Sequence, residues 1–299
     1  RYISGELESE QTRHITDEDY AAGWRLSCCS KVTGDVTVLV PDIASAYKSR
    51  MKVADLSSPE EVAIFDRAKQ DVADAGITFE NEFTVVELQM TAPSLDDTMP
   101  DNERLSWAIE AATGIENVKL TYQVLKKLPD ALRDNDFHVN VVLKKLHHSV
   151  LVYDVVPVTE ERICGAAIDI GTTTVSAVIL DLRDGKILAK ASAGNGQIRF
   201  GADVINRIIE SRKTGGEAKL QKAIIDETLN PMLHNMCRAA GIQGSQIYHL
   251  CVASNTTMNH LLLGVNADPL RMEPYIPTFF KTNSLFASDV GIEINPDAH

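Results

Sequence analysis

The chain has 299 residues, 44% hydrophobic and 24% charged, which is enough for two or three domains with sizeable cores. Lys and Arg number 29 against 42 Asp and Glu, a formal net charge of −13 that argues against generic binding to nucleic acid or anionic membranes. The five cysteines are odd in number and irregularly spaced, which fits a reducing cytoplasm better than a disulfide framework. No apolar run approaches the ~18 residues that a membrane span needs. The first residue is Arg1 rather than Met, so residues upstream of this chain are expected.

Residues 1 to 14 are polar and suggest no clear element. Thr16-Asp17-Glu18-Asp19 predicts a short helix capped by Thr16 and ending near Gly23. Asp35 to Pro41 alternates like a strand stopped by proline. Residues 42 to 78 form a linker that turns into a helix, opened by Ser57-Ser58-Pro59 and stopped at Gly76. From 79 to 158 the pattern predicts a small α+β module. It has a strand at 83–90, a helix from Asp101 to Gly114, a strand at 118–122, a helix at 124–133 and a closing hairpin whose turn holds His147-His148. Adjacent histidines in such a turn fit solvation better than metal binding.

The next stretch carries the chemistry. An apolar run ends in Asp169-Ile170-Gly171-Thr172-Thr173-Thr174, a second apolar run follows, and Arg183-Asp184-Gly185 turns the chain into a third strand at 186–193. A turn of one Gly and three Thr offers backbone N–H groups and hydroxyls to an anion. Asp169 at the strand end suits a hydrated Mg²⁺, because two anions need a cation between them. Gly194 to Gly201 resembles a dinucleotide fingerprint only in its glycines, lacking the spacing and the later ribose acid. The helix from Gly201-Ala202-Asp203 places Asp203 in its first turn and Arg207 one turn on, either as a surface salt bridge or with Asp203 facing the Mg²⁺. A long helix over about 218–240 has the stripe Leu220, Ile224, Leu229, Leu233 and Met236, with a kink expected at Pro231. A buried strand, 247–253, then delivers Ser254-Asn255-Thr256 to a helix start, a second anion-binding arrangement. Cys164, Cys237 and Cys251 fall in apolar elements as core thiols, and 265–299 is turn-rich.

Gly23-x-Arg25-Leu26-Ser27-Cys28 with Gly34-Asp35-Val36-x-Val38 resembles the closing segment of a plant-type [2Fe-2S] ferredoxin, a β-grasp domain. The resemblance implies that Cys28 is the fourth cluster ligand, with Cys29 as the neighbouring alternative. No cysteine precedes it here, so a complete cluster is expected only in a longer parent protein. Three antiparallel strands, a helix and a strand, with the Asp-Gly-Thr turn between the first two strands, resemble the first half of an actin, sugar kinase or Hsp70-like (RNase H-like) ATPase. Thr91-Ala92-Pro93-Ser94-Leu95, Leu125-x-x-Leu128-Pro129-x-x-Leu132-Arg133, the 167–174 motif, Phe200 to Ile208 and Ser254 to His260 complete an ordered set. From about residue 16 onward that set resembles the reductive activators of corrinoid proteins.

That resemblance implies a mixed α/β and α+β multidomain chain: a ferredoxin-like remnant at 1–41, a helical linker at 42–78, a middle α+β domain at 79–158 and half of an ATPase domain at 162–299. It implies ATP-dependent reduction of a Co(II) corrinoid to Co(I), with ATP and Mg as cofactors and a [2Fe-2S] cluster in the parent protein. The nucleotide residues would be Gly171, Thr172, Thr173, Thr174, Asp203, Asn255 and Thr256, with Asp169 catalytic and holding Mg through water. The expected partners are a corrinoid-containing methyl carrier protein and an electron donor protein or reductant, with neither nucleic acid nor membrane, and a homodimer is among the expected assemblies. Two other readings stay open: a sugar or small-acid kinase of the same superfamily, and a non-catalytic docking or electron-transfer module.

Overall fold

The computed structural model describes all residues except 11–14, 27–28, 40–51, 54–58, 78–81, 160–161 and 283–284. Two compact bodies result, Arg1–Ser49 and Arg50–His299.

In the first body, strand β1 (Tyr2–Ser9) pairs antiparallel with β2 (Ser30–Val38). The polar opening residues are thus a strand, unrecognised because a two-stranded ribbon buries neither face and leaves no apolar alternation to find. Between them lies helix α1 (Asp17–Ala21), capped as expected: the Thr16 hydroxyl accepts from the Asp19 N–H.

The second body opens with β3 (Lys52–Val53) and helix α2 (Pro59–Asp74), which Gly76 follows at φ 74°. The α+β module then takes the predicted order. It comprises β4 (Phe83–Gln89), α3 (Asp101–Thr113), β5 (Val118–Leu120), α4 (Tyr122–Arg133), β6 (His138–Leu146) and β7 (Ser149–Pro157). Its sheet runs β4-β6-β7-β5, and only β5 lies parallel to its neighbour. Leu105 and Ile109 of α3 and Leu128 and Leu132 of α4 close over Val139, Val141, Leu143 and Val152, all essentially inaccessible. Burial of each such side chain contributes about 1.5–3 kcal/mol.

A second sheet has the order β11-β8-β9-β10-β3. Strands β8 (Cys164–Ile170), β9 (Thr174–Asp181) and β10 (Ile187–Gly194) form an antiparallel meander, and β11 (Ile247–Ser254) returns parallel to β8. Residues 52–53 pair with Ala191 and Ser192, a contact too short to leave a sequence signal. Helices α5 (Val204–Ser211), α6 (Gly216–Ile224) and α7 (Asn230–Ala240) make the crossover, and α8 (Thr256–Leu262) follows β11. Ala189, Ala191 and Ala193 of β10 are small, leaving room for Leu220, Ile224, Leu229, Leu233 and Met236 in one core.

The predicted long helix differs at its middle. Residues Ile225–Leu229 form a π-turn inside an otherwise continuous helical run over 216–240, and Pro231 follows just after it. The five-residue step from Ile224 to Leu229 matches that wide turn, which sits just ahead of the proline. Parts of the turn-rich stretch after residue 264 are packed into the core. Ile292, Ile294 and Ala298 are buried, and the His299 carbonyl accepts from Leu250 N–H on β11. Cys164 and Cys237 are buried as expected, whereas Cys251 is exposed, because successive residues of β11 face opposite sides. No described helix is long and apolar enough to cross a membrane.

Candidate nucleotide-phosphate site

Ile168 and Ile170 of β8 point into the core, so the pleat turns Asp169 outward, where it is exposed. Among the described residues no cation or donor engages its carboxylate. The chain then reverses within Gly171-Thr172-Thr173 before β9 begins at Thr174. Gly171 N–H closes that reversal on the Thr174 carbonyl at 2.9 Å. A Cβ on Gly171 would stand 2.7 Å from the same oxygen, so glycine is required here for the tightness of the turn itself.

The carbonyls of the reversal are drawn to the protein side. Asn195 donates its side-chain amide to the Gly171 carbonyl at 2.8 Å and its backbone N–H to the Thr173 carbonyl at 2.8 Å. Arg207 donates a guanidinium N–H to the Thr172 carbonyl. Because the three carbonyls are spoken for, the N–H groups of Thr172 and Thr173 are left without a protein acceptor among the described residues. Unpaired N–H groups beside exposed hydroxyls on Thr173 and Thr174 are the donor arrangement that anion-binding turns use.

Asn255, beyond the end of β11, lies beside this turn. Its amide donates to the Thr172 hydroxyl at 3.5 Å, and its carbonyl oxygen caps α8 by accepting from Met258 N–H at 2.9 Å. Parallel pairing of β11 with β8, Ser254 opposite Ile170, brings the two strand ends together. Thr256 is half-buried, and its backbone carbonyl accepts from His260 Nδ1 at 2.7 Å.

Asp203 is the N-cap of α5 rather than a residue of its first turn. Both carboxylate oxygens accept from Asn206, backbone and side chain, at 2.8 Å each. The Asn206 backbone N–H is the main influence holding that carboxyl below the usual range. No surface salt bridge to Arg207 forms, since Arg207 is fully buried. Its remaining donors reach the Gly201 carbonyl at 2.9 Å and the Met258 sulfur at 3.2 Å. Burial lowers its guanidinium to about 10, with Asp203 pulling the other way, so it remains a cation at neutral pH.

Arg207 and Asn195 were not singled out from the sequence as site residues. The available signal was the buried face of α5, where Val204, Arg207, Ile208 and Ser211 recur at helical spacing. The fit to a hydrated Mg²⁺ rests on Asp169, because that ion keeps most of its waters and needs one or two carboxylates. For an iron-sulfur cluster the described residues supply no ligand set. Cys28 lies outside the described residues, Cys29 is exposed, and among the described residues no three His, Cys, Asp or Glu side chains converge. Clefts of about 790 and 380 Å³ open elsewhere, and no residue of the turn lines them.

A family model described as the RACo linker region matches residues 72–162, and one described as the RACo middle region matches residues 164–299. The corrinoid activation enzyme RamQ of Eubacterium limosum is 36% identical over 149 residues, which is 48% of this chain and 25% of RamQ. A solved reductive activator for corrinoid, iron-sulfur protein aligns with 100% of this chain and 46% of its own, at 29% identity and a TM-score of 0.62. The chain therefore spans about a quarter of the curated relative and just under half of the solved one. With the two regions matched in order over a meander that carries the 169–174 turn, the chain belongs to the RACo family of reductive activators of corrinoid proteins.

Proposed function

We propose that the parent protein reduces a Co(II) corrinoid, carried on a methyl carrier protein, to Co(I) in an ATP-dependent reaction, and that residues 169–174 receive the nucleotide's terminal phosphates. Co(II) gains one electron to become Co(I). That electron would come from a reductant or donor protein, and an iron-sulfur cluster of the parent protein, with Cys28 as one ligand, would supply the one-electron relay. The observation that carries the nucleotide reading is the one-sided hydrogen bonding of the turn. Asn195 and Arg207 take the carbonyls, Thr172 and Thr173 present their N–H groups, and Asp169 stands exposed beside them.

In this reading residues 162–299 are the first half of an actin or Hsp70-like ATPase domain. The antiparallel meander followed by parallel β11 supports it. Mg-ATP, when bound, supplies a phosphoanhydride whose turnover accompanies the uphill electron transfer. The chain's own groups do simpler work. Thr172 and Thr173 bind phosphate oxygens through N–H groups, Thr173 and Thr174 add hydroxyls, Asp169 orients metal-bound water, and Asn255 steadies the turn from β11. Asp203 acts by capping α5 and so placing Arg207. The free thiols suit a reducing cytoplasm.

The test mixes full-length protein with a Co(II) corrinoid protein and a reductant, and follows Co(I) absorbance with and without Mg-ATP. An ATP-dependent gain is expected, and none from full-length Asp169→Ala. Co(I) formation that ignores ATP would sink the functional reading. Equal Mg-ATP binding by wild type and Asp169→Ala in calorimetry would remove Asp169 from the site.

A further inference from the structure

Arg207 is the largest fully buried side chain among the described residues. Among the described residues no carboxylate forms an ion pair with it, since Asp203 spends both oxygens on Asn206. Among the described residues its three hydrogen-bond partners are neutral: two backbone carbonyls and a thioether. A buried charge lacking a counter-ion is costly unless something repays it. The packing around it is built for this side chain. A Cβ on Gly201 would stand 2.8 Å from Arg207 N and 3.0 Å from its Cγ, so only glycine lets the chain pass so close. One of its carbonyl partners belongs to Thr172, whose own N–H has no protein acceptor among the described residues.

We propose that Arg207 is a positioning residue that precharges the 171–174 turn. It draws the Thr172 carbonyl inward, thereby aiming the N–H groups outward, and it places behind them a positive charge that no carboxylate contacts. An anion held by the turn completes the missing pair across one peptide layer. The ligand class selected is a polyphosphate, and affinity follows phosphate charge rather than sugar or base. This rests on the nucleotide reading of the same turn.

The test uses full-length protein and calorimetry with Mg-ATP, Mg-ADP and adenosine, alongside thermal unfolding without ligand. Wild type should rank ATP above ADP above adenosine. Arg207→Gln, which keeps amide donors but loses the charge, should lower ATP affinity on the order of tenfold, lower ADP affinity less, and leave adenosine unchanged. Arg207→Lys, which keeps the charge but loses the planar fork, should retain the ATP-over-ADP preference at reduced affinity. A uniform loss for all three ligands, or unchanged ATP binding by Arg207→Gln, would overturn the inference and leave Arg207 a packing residue. If Arg207→Gln does not fold, Arg207→Lys decides alone: loss of the ATP-over-ADP preference in a folded Lys variant overturns it. Wild type that binds neither ATP nor ADP would instead refute the nucleotide reading.

Discussion

Replacing Tyr248 by Phe removes a single hydroxyl from the seam between the α+β module and the second sheet. Tyr248, on β11, is 1% exposed and donates to Asp154 Oδ2 on β7 at 2.9 Å. The other oxygen of Asp154 accepts from Val155 N–H at 2.8 Å and pairs with Lys127 of α4. The ring of Tyr248 packs with Phe83, Val142, Tyr153 and Ile163, and Phe keeps that packing. What is lost is a hydrogen bond to a charged group, a net of about 1.5–3 kcal/mol, because Asp154 Oδ2 stays buried without its donor. Lys127 is partly exposed, so it compensates weakly. For a body spanning Arg50–His299, each kcal/mol shifts the midpoint by about 2–4 °C. A fall of roughly 3–12 °C is therefore expected in calorimetry. In a double-mutant cycle with Asp154→Asn, the two changes should couple by about 1 kcal/mol or more, as residues in direct contact do. A shift below about 1 °C, or strict additivity with Asp154→Asn, would show that this bond contributes nothing to the seam.

Gly171→Ala forces a Cβ to within 2.7 Å of the Thr174 carbonyl, so the turn must open. Stability should fall by about 1–3 kcal/mol, and Mg-ATP binding should weaken, both readable by thermal shift with and without nucleotide. Thiol alkylation under native conditions should modify Cys251 and spare Cys164 and Cys237 until the protein unfolds, as mass spectrometry of the digest would show. Burial pushes the Cys164 thiol up to about 12, which suppresses its thiolate further. Burial also pushes the Asp181 carboxyl up, but hydrogen bonds from the Arg183 side chain and backbone outweigh this and hold it below the usual range. Its contribution is therefore present above about pH 4 and is lost as pH falls through the lower folded value. Denaturation curves from pH 7 to 3 should show that loss, and Asp181→Asn should flatten it.

The legible parts of this chain were those written in local spacing. Thr16 capped its helix, Gly76 followed the helix it was expected to stop, and the strands at 83–89, 164–170 and 174–181 follow apolar alternation or runs that survive without knowing their partners. The 169–174 turn was legible because glycine and threonine between two buried strands are costly without a purpose. What local spacing could not give was the inner side of that turn. On α5 two candidate stripes compete: Ile205 and Ile209 are both apolar and four apart, yet they are 47% and 44% exposed, while Arg207 is buried. A charge next to such a pair reads as surface, and the Asp203-Arg207 spacing reinforces that reading. The stripe that won includes Ser211 and depends on Thr172 and Met258, which lie 35 and 51 residues from Arg207 in the chain. The same holds for Tyr248 and Asp154, 94 residues apart. A buried polar group acquires its meaning from its partner, and here the partners come from elements distant in the chain. The outward face of the 169–174 turn is therefore a property of a six-residue motif, but its polarity is a property of the crossover that returns Asn195 and Arg207 beneath it.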